Sequence, residues 1–273
     1  GQCMSADEIV IDPAFPREFE AGVFWTGGCM VFGSGDAQIH SHMCTYVVVG
    51  ADASLIVDTG HPAHWEKVSA DLDAILGDRP LDYIFPSHTE YPHAGNVARL
   101  LEKYPQARVV GDTRDYHLFY PRFAGRLEPR GVGEKIELGG RDFVVLPALL
   151  RDLPNTVWGY DTRSRTMFVS DGFCYLHDHR SGECALLSTE RSVPSERQIA
   201  WFNERALFWT RYVGPQKAFR EIEKLFATYP PAMLAPAHGS VITNIDEMTQ
   251  LIYEGMVTTL AERENRPVVG YSA

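Results

Sequence analysis

The sequence predicts an α/β protein with one large core, on three observations. Apolar runs and amphipathic segments alternate between residues 55 and 111, the pattern of strands joined by helices. The chain has 273 residues, 45% of them hydrophobic, with 14 Phe, 12 Tyr and 5 Trp, ample for a sizeable interior. His and Glu residues gather at one strand-to-helix junction, where α/β folds place their chemistry.

Taken in order, Ile9 to Phe19 reads as a Pro-interrupted lead-in strand and Gly22 to Trp25 as a short apolar strand. Gly27-Gly28 and Gly33-Ser34-Gly35 mark turns. His40-Ser41-His42-Met43 leads into the strand Thr45–Val49, and Gly50 to Ser54 turns the chain into Leu55-Ile56-Val57. Residues 65–76 have the spacing of an amphipathic helix, 81–86 of a buried strand, 96–104 of a helix and 108–111 of a strand. Residues 112–133 are loop-rich. Residues 135–138 and 142–146 form a hairpin around Gly139-Gly140. Strands at 156–160 and 166–169 follow. Helices are expected at 196–212, 215–228 and 245–263, with a strand at 232–237 before the His238-Gly239 turn.

The strand at 81–86 runs into Ser87-His88-Thr89-Glu90-Tyr91-Pro92-His93-Ala94-Gly95. Neutral imidazole and carboxylate within six residues suit a transition metal such as zinc, iron or manganese. Gly95 is expected to let the backbone pass close to a metal or a neighbouring strand. Tyr91 either donates from its phenol or packs.

Net charge is −11 and no Lys/Arg run is present, which argues against nucleic acid or an anionic membrane as partner. No apolar run approaches the roughly 20 residues of a transmembrane helix. Five cysteines without a C-x-x-C pair read as reduced thiols of a cytoplasmic protein. Cys44 and Cys174 fall beside candidate site segments. His177-Asp178-His179 reads as a solvated loop.

Val57-Asp58-Thr59-Gly60, the His88/Glu90/His93 turn, Phe168-Val169-Ser170-Asp171 and Pro236-Ala237-His238-Gly239 occur in the order of the metallo-β-lactamase fold. The chain resembles that fold over roughly residues 40–250. Glu90 narrows the resemblance. Hydrolases of the fold usually carry a second His there, whereas the di-iron domain of flavodiiron and oxygen-binding di-iron proteins carries Glu, in a His-x-Glu-x-Asp-His-x-Gly pattern.

This resemblance implies a single αββα sandwich over residues 1–273, with 1–40 as lead-in and no flavodoxin domain. It implies metals at one edge between two sheets: His88 and Glu90 on one ion, His238 on the other, Asp171 bridging, and Asp58 bracing the turn by hydrogen bonds. Two positions depart from the pattern. The family's Asp falls at Pro92, and its later His falls near Leu150. His93 and Asp152 are the substitutes the sequence offers. His42, Tyr91 and Asp152 are candidates for substrate contact or catalysis.

The implied function is that of a di-iron oxidoreductase or dioxygen-handling protein, with two irons, or one if the site is degenerate, and zinc or manganese as alternatives. Its partners would be dioxygen or a small molecule and a separate reductase, and the chain would be a homo-oligomer. The alternatives are a hydrolase that attacks an ester, lactone or amide with a metal-bound hydroxide, and a one-metal or non-catalytic sensor.

Overall fold

The computed structural model describes residues 8–32 and 39–264. The turn expected at Gly33-Ser34-Gly35 lies outside them. The chain opens with β1 (Glu8–Val10), β2 (Arg17–Glu20), β3 (Val23–Phe32), β4 (Ile39–Val49) and β5 (Ser54–Val57). Then come α1 (Trp65–Leu76), β6 (Tyr83–Phe85), the single turn α2 (Tyr91–Ala94), α3 (Val97–Lys103) and β7 (Arg108–Gly111). The short α4 (Tyr116–Phe119) and β8 (Leu127–Pro129) complete the first half. These eight strands form one sheet, in the order β1-β3-β4-β5-β6-β7-β8, with β2 also on β3.

The second half begins with β9 (Lys135–Glu137), β10 (Asp142–Pro147), β11 (Val157–Asp161) and β12 (Thr166–Phe168). It continues through α5 (Glu196–Ala206), α6 (Gln216–Thr228), β13 (Met233–Ala235) and α7 (Ile245–Glu264). Its five strands form a second sheet, ordered β13-β12-β11-β10-β9. The parallel pairs are β5–β6, β6–β7, β7–β8 and β12–β13.

Three apolar clusters give the layers. Trp25, Tyr46, Leu55 and Phe85 of the first sheet pack on Ile136, Phe143, Val145 and Phe168 of the second. Val68, Leu72 and Leu76 recur every fourth residue along α1 and, with Leu100 of α3, cover the outer face of the first sheet. Ile199, Phe219, Ile222 and Ile252 of the later helices cover Val144, Trp158 and Met167 of the second. The result is helix, sheet, sheet, helix. Among the described residues no helix is long and apolar enough to cross a membrane.

A buried ion pair fastens the sheets together. Arg141 meets Asp161 in a fork, Nε–Oδ1 2.9 Å and Nη2–Oδ2 2.7 Å. Its Nη1 donates to the Ala21 and Val49 carbonyls of the first sheet's hairpin region, at 2.9 and 3.1 Å. Burial raises the Asp161 pKa, but hydrogen bonds from Arg141 and Ser164 outweigh it and hold it below the ordinary value.

The structure corrects two sequence expectations. Gly27-Gly28 is not a turn; β3 runs straight through it. A Cβ on Gly27 would lie 2.0 Å from the Met43 carbonyl oxygen, and one on Gly28 would lie 2.2 Å from the His64 ring. Glycine here marks close approach within a strand. The expected helix at 196–212 stops at Ala206, because Leu207 leaves helical geometry at φ −104°, ψ 69°, and a short 3-10 turn follows.

Candidate metal centre

Five loops, those that follow β5, β6, β10, β12 and β13, meet at one edge of the sandwich. The loop after β5 is tied to the next by Asp58 N–H donating to the Phe85 carbonyl, at 2.9 Å. Asp58, with φ +58°, turns its carboxylate onto the loop after β6. Oδ1 accepts from Ser87 N–H at 2.6 Å, and Oδ2 lies 2.8 Å from His93 Nδ1. Ser87 Oγ lies 3.0 Å from Asp58 Oδ2 and 2.7 Å from Ser170 Oγ. Ser170 also takes a left-handed φ, +49°. Two non-glycine residues in that region, joined through one hydroxyl, mark backbone held in place by its surroundings.

The loops bring the side chains together around Asp171, which is buried. His88 Nε2 lies 2.9 Å from Asp171 Oδ2 and 3.7 Å from Asp152 Oδ1. On the other oxygen, His93 Nε2 lies 3.2 Å from Oδ1 and His238 Nε2 3.3 Å from it. One ligand atom from each of His88, Glu90, Asp152 and Asp171 falls within 4.8 Å of the others, and so do those of His88, His93 and Asp171. His88 and Asp171 thus belong to both groups.

These residues fit a metal on their own chemistry. With Nδ1–H directed at Asp58, His93 Nε2 is a buried lone pair; it and Asp171 Oδ1 have no hydrogen-bond partner. A cation between them satisfies both. Burial disfavours charge on His93, but Asp58 and Asp171 outweigh it and hold its pKa well above the ordinary value. Burial, then Asp171 and Glu90, raise the Asp152 pKa, His88 opposing. Burial likewise opposes charge on Asp171, but His93, His238 and His88 hold it ionised. Both oxygens of Asp171 therefore face groups that need positive charge between them.

The two departures from the expected pattern look different in three dimensions. Leu150 is fully buried among the apolar side chains under the second sheet, while Asp152, two residues on, enters the ligand group. The Trp209 indole N–H donates to the Arg151 carbonyl at 2.8 Å and holds that loop. Pro92 is the second residue of α2 and offers no donor atom, but the turn carries His93 inward. Gly95 does not approach the centre: a Cβ there would lie 2.6 Å from the Pro62 ring. Tyr91 is 72% exposed and lines, with Thr89, Glu90 and Pro92, a shallow recess of about 370 Å³.

Two further expectations change, while the thiols are free as the sequence suggests. His42 gives the centre its backbone: its carbonyl accepts from His238 Nδ1 at 2.6 Å, while its ring turns away to His177, Nε2 to Nε2 3.0 Å. His177 is not solvated. Residue pairing with His40 draws it into the interior, where it is 3% exposed. Cys44 and Cys174 are neutral thiols that bond to backbone; burial pushes Cys44 up to about 12 and Cys174 well above its ordinary value. The cysteines among histidines are instead Cys29 and Cys184. No spacing motif signals them, because their neighbours come from separate strands and loops.

The known proteins similar to this chain share the architecture. The coenzyme F420H(2) oxidase of Methanothermobacter marburgensis is 21% identical over 277 residues, covering 89% of this chain and 65% of that protein. The rubredoxin oxygen:oxidoreductase of Desulfovibrio gigas superposes with a TM-score of 0.70 at 16% identity, over 93% of this chain and 62% of that one. The flavodiiron protein of Giardia intestinalis superposes with a TM-score of 0.68 at 18% identity, over 88% and 58%. The chain thus spans less than two thirds of the length of each. Its fold is the metallo-β-lactamase-like sandwich of these structures. The family model for the ODP family beta lactamase matches residues 41–239, which include every residue of the centre around Asp171, and the chain belongs to that family.

Proposed function

We propose that the protein is a di-iron oxidoreductase that reduces dioxygen or nitric oxide with electrons from a separate reductase. The acidic donor set around His88 supports this most: Glu90, Asp152 and Asp171 bring three carboxylates to one imidazole. Hard, anionic oxygens favour iron or manganese over zinc and stabilise the higher valence that redox chemistry needs. Bound iron supplies the electron transfer and the binding of a diatomic ligand.

The chain's own residues hold and shield that chemistry. His88, Glu90, Asp152 and Asp171 would hold one ion, and His93 and His238, with Asp171, would hold the other. Asp58 keeps the proton on His93 Nδ1 and so leaves Nε2 for the metal. An open recess lined by Thr89, Glu90, Tyr91 and Pro92 lies beside the Glu90 carboxylate. The names of the similar proteins support the same reading: one is an oxidase, and one is an oxygen oxidoreductase named also for a redox protein.

The test is anaerobic loading with ferrous iron, followed by dioxygen and nitric oxide consumption with a chemical reductant. The oxidised protein should absorb in the near ultraviolet and bleach on reduction. Glu90→His should shift metal preference towards zinc and slow dioxygen consumption about tenfold or more. A wild-type protein that purifies colourless with stoichiometric zinc, consumes neither gas and hydrolyses a simple ester or lactone overturns this reading in favour of a hydrolase.

A further inference from the structure

A second group of ligand-type side chains shares no side chain with the centre around Asp171. Cys29 of β3 and His42 of β4 are directly paired in the sheet. His179 and Cys184 reach them from the loop after β12. One donor atom from each of Cys29, His42, His179 and Cys184 lies within 4.8 Å of the others. Cys29, His42 and Cys184 are fully buried, and none of these residues takes part in the centre around Asp171 through its side chain.

We propose that Cys29, Cys184, His179 and His42 form a tetrahedral zinc site. The spacing fits. Zinc bonds of about 2.3 Å to sulfur and about 2.0 Å to nitrogen place tetrahedral S and N donors about 3.5 Å apart. Cys184 Sγ lies 3.2 Å from His179 Nε2, and Cys29 Sγ lies 3.7 Å from the same atom.

The imidazoles are arranged as ligands. His42 Nδ1 donates to the Gly239 carbonyl at 3.0 Å, and His179 Nδ1 to the Arg180 carbonyl at 2.7 Å. Each ring therefore carries its proton on the outer nitrogen and presents Nε2 as a lone pair to the group. That outer hydrogen bond to a carbonyl is the common second contact of a zinc-bound histidine. In the metal-free chain His177 Nε2–H donates to the His42 lone pair, at 3.0 Å.

The sulfurs lie among imidazoles: Cys29 Sγ is also 3.3 Å from His40 Nδ1, and both cysteines are free thiols. Two thiolates and two imidazoles are soft and borderline donors that select zinc over the hard cations suited to the carboxylate centre.

The site has a structural consequence. It clamps the loop carrying His179 and Cys184 onto the paired strands β3 and β4. It also fixes His42, whose carbonyl orients His238 at 2.6 Å. Zinc would thereby steady one wall of the centre around Asp171 without taking part in its chemistry.

The test uses the full chain with reduced thiols, titrated with Co²⁺ and then Zn²⁺. Wild type should show the thiolate-to-cobalt charge-transfer band and visible bands of a tetrahedral site, displaced by one equivalent of zinc. Asp171→Asn should retain both. Cys184→Ser should lose the charge-transfer band, and His179→Ala, at a half-buried position, should weaken cobalt binding at least about tenfold. A folded, reduced wild type without the band overturns the proposal. So does a band unchanged in His179→Ala and Cys184→Ser, or a Cys29–Cys184 disulfide in freshly purified protein.

Discussion

Asp171→Asn is expected to remove both metals of the carboxylate centre at once. The change keeps the shape of the side chain and deletes its charge. Asp171 is 2% exposed, and its two oxygens face His88 on one side and His93 and His238 on the other. Loss of a supporting contact near a metal costs about 10- to 100-fold in affinity; loss of the shared ligand should exceed about 100-fold for each ion. Metal analysis after anaerobic loading should find iron near zero in the variant, with a far-ultraviolet spectrum like that of wild type. Stoichiometric iron in a folded Asp171→Asn protein would remove Asp171 from the bridging position.

The largest effect on stability is expected far from the metals, at Arg141→Ala. The guanidinium and Asp161 are both buried, and each fills the other's hydrogen bonds. Removing one member of such a pair leaves an uncompensated buried charge, at a cost of about 3–5 kcal/mol. The sign with pH follows from Asp161, whose folded-state pKa lies below the ordinary value. The pair's contribution is fully present above about pH 4, the unfolded value, and is lost as pH falls through the folded one. Denaturant midpoints at neutral pH check the magnitude. Arg141→Met with Asp161→Leu should recover much of the loss, since an apolar pair can replace a buried ionic one. A cost below about 1 kcal/mol for Arg141→Ala would class the pair with exposed salt bridges.

The frame of this protein is legible in its sequence where one periodicity dominates. Val68, Leu72 and Leu76 place α1 at its observed bounds, and the apolar run before Ser87 ends in a strand at the metal turn. Glycine was ambiguous because it serves two purposes. Gly27-Gly28 reads as a turn in one dimension, whereas the Met43 carbonyl and the His64 ring that require it come from elsewhere in the fold.

The candidate centre is legible to a similar degree. His88, Glu90 and His93 announce themselves by proximity in the chain. Asp171 and His238 need the order of motifs. Asp152 is one acidic loop residue among many until the Trp209 anchor and the burial of Leu150 turn its loop towards His88. The Cys29–Cys184 group was out of reach for the opposite reason. Its members are separated by 13, 137 and 5 residues along the chain, and the β3–β4 register that aligns Cys29 with His42 is a property of the sheet.

The central claim is that two metal ions flank the carboxylate of Asp171. Anomalous diffraction at the iron absorption edge, from crystals of the anaerobically loaded protein, tests it most directly. Two peaks should appear, one among His88, Glu90, Asp152 and Asp171 Oδ2, the other among His93, His238 and Asp171 Oδ1. A single peak, or iron found only beside Cys29 and Cys184, would contradict it.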